Sequence, residues 1–318
     1  SASSAASDVY KRQHLNHTGS HKITNSLFQI LLAKRMGKSH LICESGAGQH
    51  YSATAAVAAK FNMPLVGVMG DIDVARVNQN IIKAKHYGAK LKTVPGTLKE
   101  AITDAIKTWT TNPEYAYICG SVVSSSPFPK IVAFAQSIIG REIREQSMSQ
   151  EGKIPDMICG CVGGGSNFAG AIYEFLDEPS VTKIGVEAHE TAALTNGTPG
   201  IMQGMKTYML QTDDGAKSLG GMSLGAGITY FSVGPLHSYL KDQGAVQYSS
   251  ATDKEMLEAY KIIAQTEGIC SALEPMAAAA EIIFRQAKDK PKDYIICLSL
   301  CGRGCLLYTS PSPRDGTS

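Results

Sequence analysis

Short apolar runs alternate with helix-length segments along most of this chain, and that rhythm constrains its fold more than any other feature. SHLICE, PLVGVMG, LKTV, AYICG, DMICGCV, VTKIGVEA and DYIICLSL read as buried strands. After Lys22, residues Ile23, Leu27, Ile30 and Leu31 recur at i, i+4, i+7 and i+8, which predicts one apolar helix face. Further helices are predicted over about 52–61, 74–87, 98–109, 131–145 and 253–264. Strands buried on both faces and separated by helices imply an α/β protein with mainly parallel sheets. The polar run before Pro155 marks the expected link between two lobes, 14–150 and 151–304. The stretch 187–225 is rich in Gly, Thr and Asp and reads as a long loop, the kind that is functional or mobile in a compact enzyme. Met202, Met205 and Met209 within it read as core filler.

Composition excludes several function classes. Thirty basic residues against 28 acidic ones leave a net charge of +2, too small for a nucleic-acid binder or a polybasic membrane binder. No apolar run reaches the roughly 18 residues of a membrane span. Eight cysteines in 318 residues do not make a disulfide scaffold, and several sit in apolar strands, which points to free thiols and the cytoplasm. The ends differ from the middle. SASSAASDVYKRQ and LLYTSPSPRDGTS are polar and aperiodic and resemble translated sequencing-adaptor ends. Residues 1–13 and 305–318 are therefore expected to be non-native flanks.

Four constellations carry chemistry. His21-Lys22 stands directly before a helix, where the positive end of the macrodipole favours a neutral amine able to form a Schiff base; an exposed lysine at a helix start reads the same way. Gly163-Gly164-Gly165-Ser166-Asn167 follows a buried strand and opens a helix, an arrangement suited to phosphate or to a plain tight turn. It is not the dinucleotide fingerprint, because the third glycine would fall at Phe168. Glu44-Ser45-Gly46-Ala47-Gly48-Gln49-His50 again joins a strand to a helix. It reads as a carboxylate-binding loop with an acid–base residue, or as a helix cap with a solvated acid. Ser299-Leu300-Cys301-Gly302-Arg303-Gly304 closes the last strand, where a small polar side chain can touch a bound ring. Cys159 and Cys161 lack companions at zinc-like spacing, so metal chelation is disfavoured there.

LNHTGSHK, ESGAGQH, VGGGSN, GMKTY, SVGPLHSYLKD, EGICSALE and CGRG occur in an order and spacing that resemble the tryptophan synthase β family, over about residues 15–304. The resemblance implies a two-lobed, fold type II pyridoxal-phosphate enzyme that condenses L-serine with indole to L-tryptophan. By resemblance Lys22 binds pyridoxal 5'-phosphate covalently and Glu44 is the acid–base group. His21, Gly163, Gly164, Gly165, Ser166 and Asn167 would hold the cofactor phosphate, with Glu274 and Cys301 near its ring. Ser45, Gly46, Ala47, Gly48, Gln49 and His50 would bind the substrate carboxylate. Carbonyls of Gly163, Tyr230 and Ser232 would hold Na+ or K+. The resemblance also implies a closing segment at roughly 37–119, an α subunit as partner, and a dimer of these chains within a heterotetramer.

The chain departs from the family pattern in ways that keep a serine or threonine dehydratase-like elimination, and a non-catalytic partner-binding homologue, as competing expectations. Cys301 stands where the family has serine, and Thr229 where it has aspartate. Glu274 is followed by Pro275 and Met276 rather than serines, and Ser124-Ser125-Ser126-Pro127-Phe128-Pro129 replaces a proline-rich stretch. The loop after Glu187 is shortened. The family's N-terminal segment is missing, so the chain is expected to be a fragment of an enzyme.

Overall fold

The computed structural model describes residues 7–215, 219 and 221–304. Its strands are β1 (Ser7–Lys11), β2 (His40–Glu44), β3 (Leu65–Gly70), β4 (Lys90–Val94), β5 (Tyr115–Tyr117), β6 (Met157–Cys161), β7 (Thr182–Ala188), β8 (Thr198–Met202), β9 (Met205–Met209), β10 (Gln247–Ala251) and β11 (Ile295–Ser299). One sheet has the order β4-β3-β2-β5 and a second the order β1-β11-β6-β7-β10. Every pairing in both is parallel. Strands such as β2, β3, β6 and β11 are buried nearly throughout. That matches the near-continuous apolar runs expected of a parallel sheet covered on both faces. Among the described residues no helix is long and apolar enough to cross a membrane.

Each sheet reverses its winding once. The chain runs β2, β3, β4 outward and then returns to place β5 on the other side of β2. Likewise β6, β7 and β10 run outward before β11 returns to the other side of β6. Such a switch point opens a crevice at the carboxyl ends of the two diverging strands. The Glu44 loop follows β2, the glycine loop follows β6, and Cys301 follows β11.

Several sequence expectations are corrected. Residues 7–11, inside the expected flank, form an edge strand paired in parallel with β11, and the chain continues beside it as His14 N donates to Leu300 O at 3.1 Å. The rest of that expectation, residues 1–6 and 305–318, lies outside the described residues. The stretch 187–225 is not all loop: β8 and β9 form an antiparallel hairpin in it, and Met202, Met205 and Met209 are core residues. The helix expected over 74–87 is two pieces, Asp71–Val74 and Asn78–His86. The one expected over 131–145 is divided at Ser137 into Phe128–Gln136 and Ile138–Glu151. Strand β10, QYSSA, is mostly polar and has no apolar run.

The helix Lys22–Arg35 turns a different face inward from the one its apolar spacing predicts. Leu27 and Leu31 are 40% and 43% exposed, whereas Asn25, Ser26 and Gln29 are buried beside Ile30 and Ala33. The cause is the end of β5. Asn25 and Gln29 each donate to Cys119 O at 2.8 Å, and Cys119 N donates back to Gln29 Oε1 at 3.0 Å. Backbone groups beyond a strand's last pairing need partners when buried, and this helix supplies them.

The glycine loop rests on a buried ring. Phe168 is fully buried, and a Cβ added at Gly160 or Gly185 would come within 2.9 Å of it. Its other side stacks on His237, with centroids 5.9 Å apart. Phe168→Ala should therefore cost about 3–5 kcal/mol of unfolding free energy; a urea midpoint unchanged from wild type would show that the ring does not support these strands.

Candidate active site

The two switch points face one cavity of about 940 Å³, its mouth included. From the end of β2, the turn after it and the start of the next helix come Glu44, Ser45, Gly46, Ala47, Gln49 and His50; from the turn after β6 and the helix it opens come Gly163, Gly164, Gly165, Ser166 and Asn167. His21, Lys22, Tyr230, Glu274 and Cys301 complete the expected set at the wall. Gly48 and Ser232 do not line it. Gly48 instead shapes the turn, with φ +73° and an added Cβ only 2.8 Å from Asn80. Ser232 bridges to Met209.

The centre of the site is the backbone of Gly120, which lies outside the four sequence constellations. Lys22 Nζ donates to Gly120 O at 2.6 Å, and Gly120 N donates to Glu44 Oε1 at 2.8 Å. A Cβ at Gly120 would lie 2.7 Å from His50 Cδ2 and 3.0 Å from Glu44 Oε1, so only glycine fits. Ser121, its neighbour, accepts from Ser166 N at 3.2 Å and would collide with any Cβ at Gly164. The sequence signal was available: AYICG ends in glycine and is followed by serine, the strand-to-turn pattern already noted at Glu44 and Gly163.

Burial sets the charges. It is the largest effect on Glu44, whose carboxyl is pushed up to about 7, against the pull of the Gly120 N–H. Burial likewise lowers the Lys22 pKa, with Glu44 opposing it. His21 and His50 are driven down to about 3, first by burial and then by Lys22, so both rings are neutral. His21 Nδ1 lies 3.2 Å from Cys301 O and Nε2 3.1 Å from Ser166 Oγ. The His50 ring is committed to Ile118 O at 2.7 Å. Glu274 accepts from Gly227 N at 2.7 Å, and burial pushes it up to about 7.

Unused polar atoms show what the cavity suits. Glu44 Oε2, Gln49 Nε2, Tyr230 OH and Glu274 Oε2 are buried without a protein partner. Buried polar groups in proteins are as a rule paired, so these cavity-wall atoms are suited to a polar ligand. A primary amine of lowered pKa, a protonatable carboxyl and a glycine-walled recess suit a phosphorylated aldehyde.

Comparison with known proteins is consistent with this chemistry. The family described as pyridoxal-phosphate dependent enzyme matches residues 5–302. A tryptophan synthase beta chain from Allorhizobium ampelinum is 48% identical over 93% of this chain and 75% of its own length. Those from Dinoroseobacter shibae and Ruegeria pomeroyi are 47% and 48% identical, each over 92% of this chain and 74% and 73% of their own. Among solved structures, a threonine deaminase of T.th. superimposes with TM-score 0.72 at 18% identity, covering 98% of this chain and 90% of its own. An O-ureido-L-serine synthase gives 0.73 at 19%, covering 99% and 88%. The likeness to these two shows the fold.

The raised Glu44 pKa has a stability consequence. The native carboxyl binds its proton more tightly than an ordinary one at 4.5. Its contribution is thus fully present below pH 4.5 and is lost as pH rises to about 7. The unfolding free energy of wild type relative to Glu44→Gln should therefore fall across that window, while Glu187 and Glu274, also raised to about 7, add a fall and the neutral rings of His21 and His50 a rise that both proteins share. Urea titrations at several pH values that give parallel slopes would show that Glu44 does not hold its proton in the native state.

Proposed function

Because this chain belongs to the tryptophan synthase beta chain family of pyridoxal-phosphate dependent enzymes, we propose that it condenses L-serine with indole to give L-tryptophan and water. The observation that carries this reading is the Lys22–Gly120–Glu44 arrangement: an amine whose pKa burial lowers and a carboxyl pushed up to about 7, held by one glycine at the wall of one cavity.

Pyridoxal phosphate, when bound, supplies an aldehyde for an amine and a conjugated ring that accepts electrons from the substrate's α-carbon. The residues present fit it. Gly163 to Asn167, with Ser121 and His21, would hold the phosphate. Cys301 and Glu274 would stand by the ring, and Lys22 would hold the aldehyde carbon. Ser45 to His50 would hold the carboxylate of serine, with Gln49 Nε2 among the donors left unused by the protein.

The protein's own part in the reaction is proton handling. Lys22 Nζ takes the proton from the α-carbon of serine, its basicity available because burial disfavours the ammonium. Glu44, protonated near neutral pH, gives its proton to the departing serine hydroxyl, which leaves as water. The carboxylate so formed accepts the proton that indole loses as its C3 bonds to the β-carbon, and Lys22 returns its proton to the α-carbon. Leu98, Ile102 and Ile228 supply an apolar wall for the indole ring. Water excluded from this space cannot compete with indole.

The same reading includes a monovalent cation at Gly163, Tyr230 and Ser232, an α subunit that delivers indole, a dimer of these chains, lobes at 14–150 and 151–304, and closure by roughly 37–119. It places the protein in the cytoplasm, which its seven free cysteines among the described residues suit.

The test is an absorbance titration of the purified chain with pyridoxal phosphate, then L-serine, then indole. Wild type should develop the long-wavelength band of lysine-bound cofactor, respond to serine, and release tryptophan on addition of indole. Lys22→Ala should lose the band. Glu44→Gln should keep it while turnover falls about 10²–10⁴-fold. Rapid pyruvate release without indole, and no tryptophan, would overturn the reading in favour of elimination.

A further inference from the structure

Two thiols meet at the floor of the cavity. Cys161 ends β6 and Cys301 follows β11, and their sulfurs are 3.5 Å apart. Both side chains are buried from outside solvent, yet both line the cavity, so a small reagent reaches them through its mouth. Other buried cysteines are engaged differently: Cys119 Sγ lies 3.3 Å from Ser121 O, and Cys159 Sγ 3.6 Å from Ala278 O.

We propose that Cys161 and Cys301 are a redox-modifiable pair whose oxidation to a disulfide disables the cofactor site reversibly. With hydrogen peroxide or another hydroperoxide as oxidant, the two S–H bonds and one O–O bond break and one S–S bond forms. The sulfurs give up two electrons and two protons, and hydrogen peroxide leaves as two waters, or another hydroperoxide as an alcohol and one water. A disulfide needs its sulfurs about 2.0 Å apart, so they must close by roughly 1.5 Å.

That movement acts on the residues proposed to hold the phosphate. The Cys161 carbonyl accepts from Asn167 Nδ2 at 3.0 Å. The Cys301 carbonyl accepts from His21 N at 3.3 Å and faces its ring nitrogen at 3.2 Å. Drawing the sulfurs together shifts both carbonyls and, with them, Asn167 and His21. A cofactor bound in this cavity would also block the oxidant. The effect on cofactor rests on the reading under Proposed function; formation of the crosslink does not.

The experiment treats the full chain with hydrogen peroxide, with and without bound pyridoxal phosphate. The cofactor-free chain should lose about 2 Da as two S–H bonds become one S–S. A non-reducing digest should join the peptide of Cys161 to that of Cys301. Its pyridoxal-phosphate affinity should fall at least about tenfold, and dithiothreitol should restore it. Cofactor-loaded protein should form the crosslink more slowly. Cys301→Ser and Cys161→Ser, each compared with its own untreated affinity, should show neither crosslink nor loss. Absence of that linked peptide from oxidised wild type overturns the proposal, as does an equal affinity loss in the serine variants. A crosslink with unchanged affinity overturns the disabling effect. If untreated protein fails to bind cofactor, the functional reading falls while the crosslink result still decides the redox pair.

Discussion

The backbone at Cys119 and Gly120 is where this structure is fastened together. Five hydrogen bonds converge on these two residues: Asn25 and Gln29 on the Cys119 carbonyl, Gln29 again on its N–H, Glu44 on the Gly120 N–H and Lys22 on its carbonyl. They tie the helix Lys22–Arg35 to the end of β5 and to the last residue of β2. The amine and the carboxyl proposed to move protons are thereby placed by one short stretch of backbone. Neutral hydrogen bonds are each worth only about 1 kcal/mol net, but losing one partner strands a buried group at about 1–3 kcal/mol. The arrangement is consequently hard to alter one residue at a time.

Around that fastening, topology does the rest. Two parallel sheets each reverse direction once, and both crevices open on the same space. Residues more than 250 positions apart, such as His21 and Cys301, meet there because the strand ends meet. The cavity belongs to neither sheet alone.

Much of this was legible in the sequence, for a physical reason. Strands buried on both faces leave continuous apolar runs, as at β2, β3, β6, β7 and β11, whereas LKTV, read as buried, is the largely exposed edge strand β4. Lys22, Glu44 and the glycine loop were identifiable because each breaks the rhythm of its surroundings with chemistry that packing does not need. The failures are equally specific. The inward face of the helix Lys22–Arg35 is polar because it serves stray backbone groups at Cys119, and hydrophobic periodicity cannot register that demand. Residues 7–11 and β10 are strands by virtue of the neighbours they pair with, and their own composition carries little sign of it. Gly120 was overlooked because one glycine at a strand end looks like punctuation. Its necessity appears only when His50 and Glu44 are seen on either side.

The glycine-lined part of the cavity has a consequence for how such a site can change over time. At Gly120, Gly163 and Gly164 an added methyl would meet neighbouring atoms within 3.0 Å. Natural variation is effectively closed off there. Elsewhere on the cavity wall, Leu98, Ile102 and Thr229 already carry side chains that can be exchanged for others of different bulk or polarity. New preferences for the second substrate can therefore arise on that wall while the catalytic half stays fixed. One scaffold can explore related reactions by drifting on one side only.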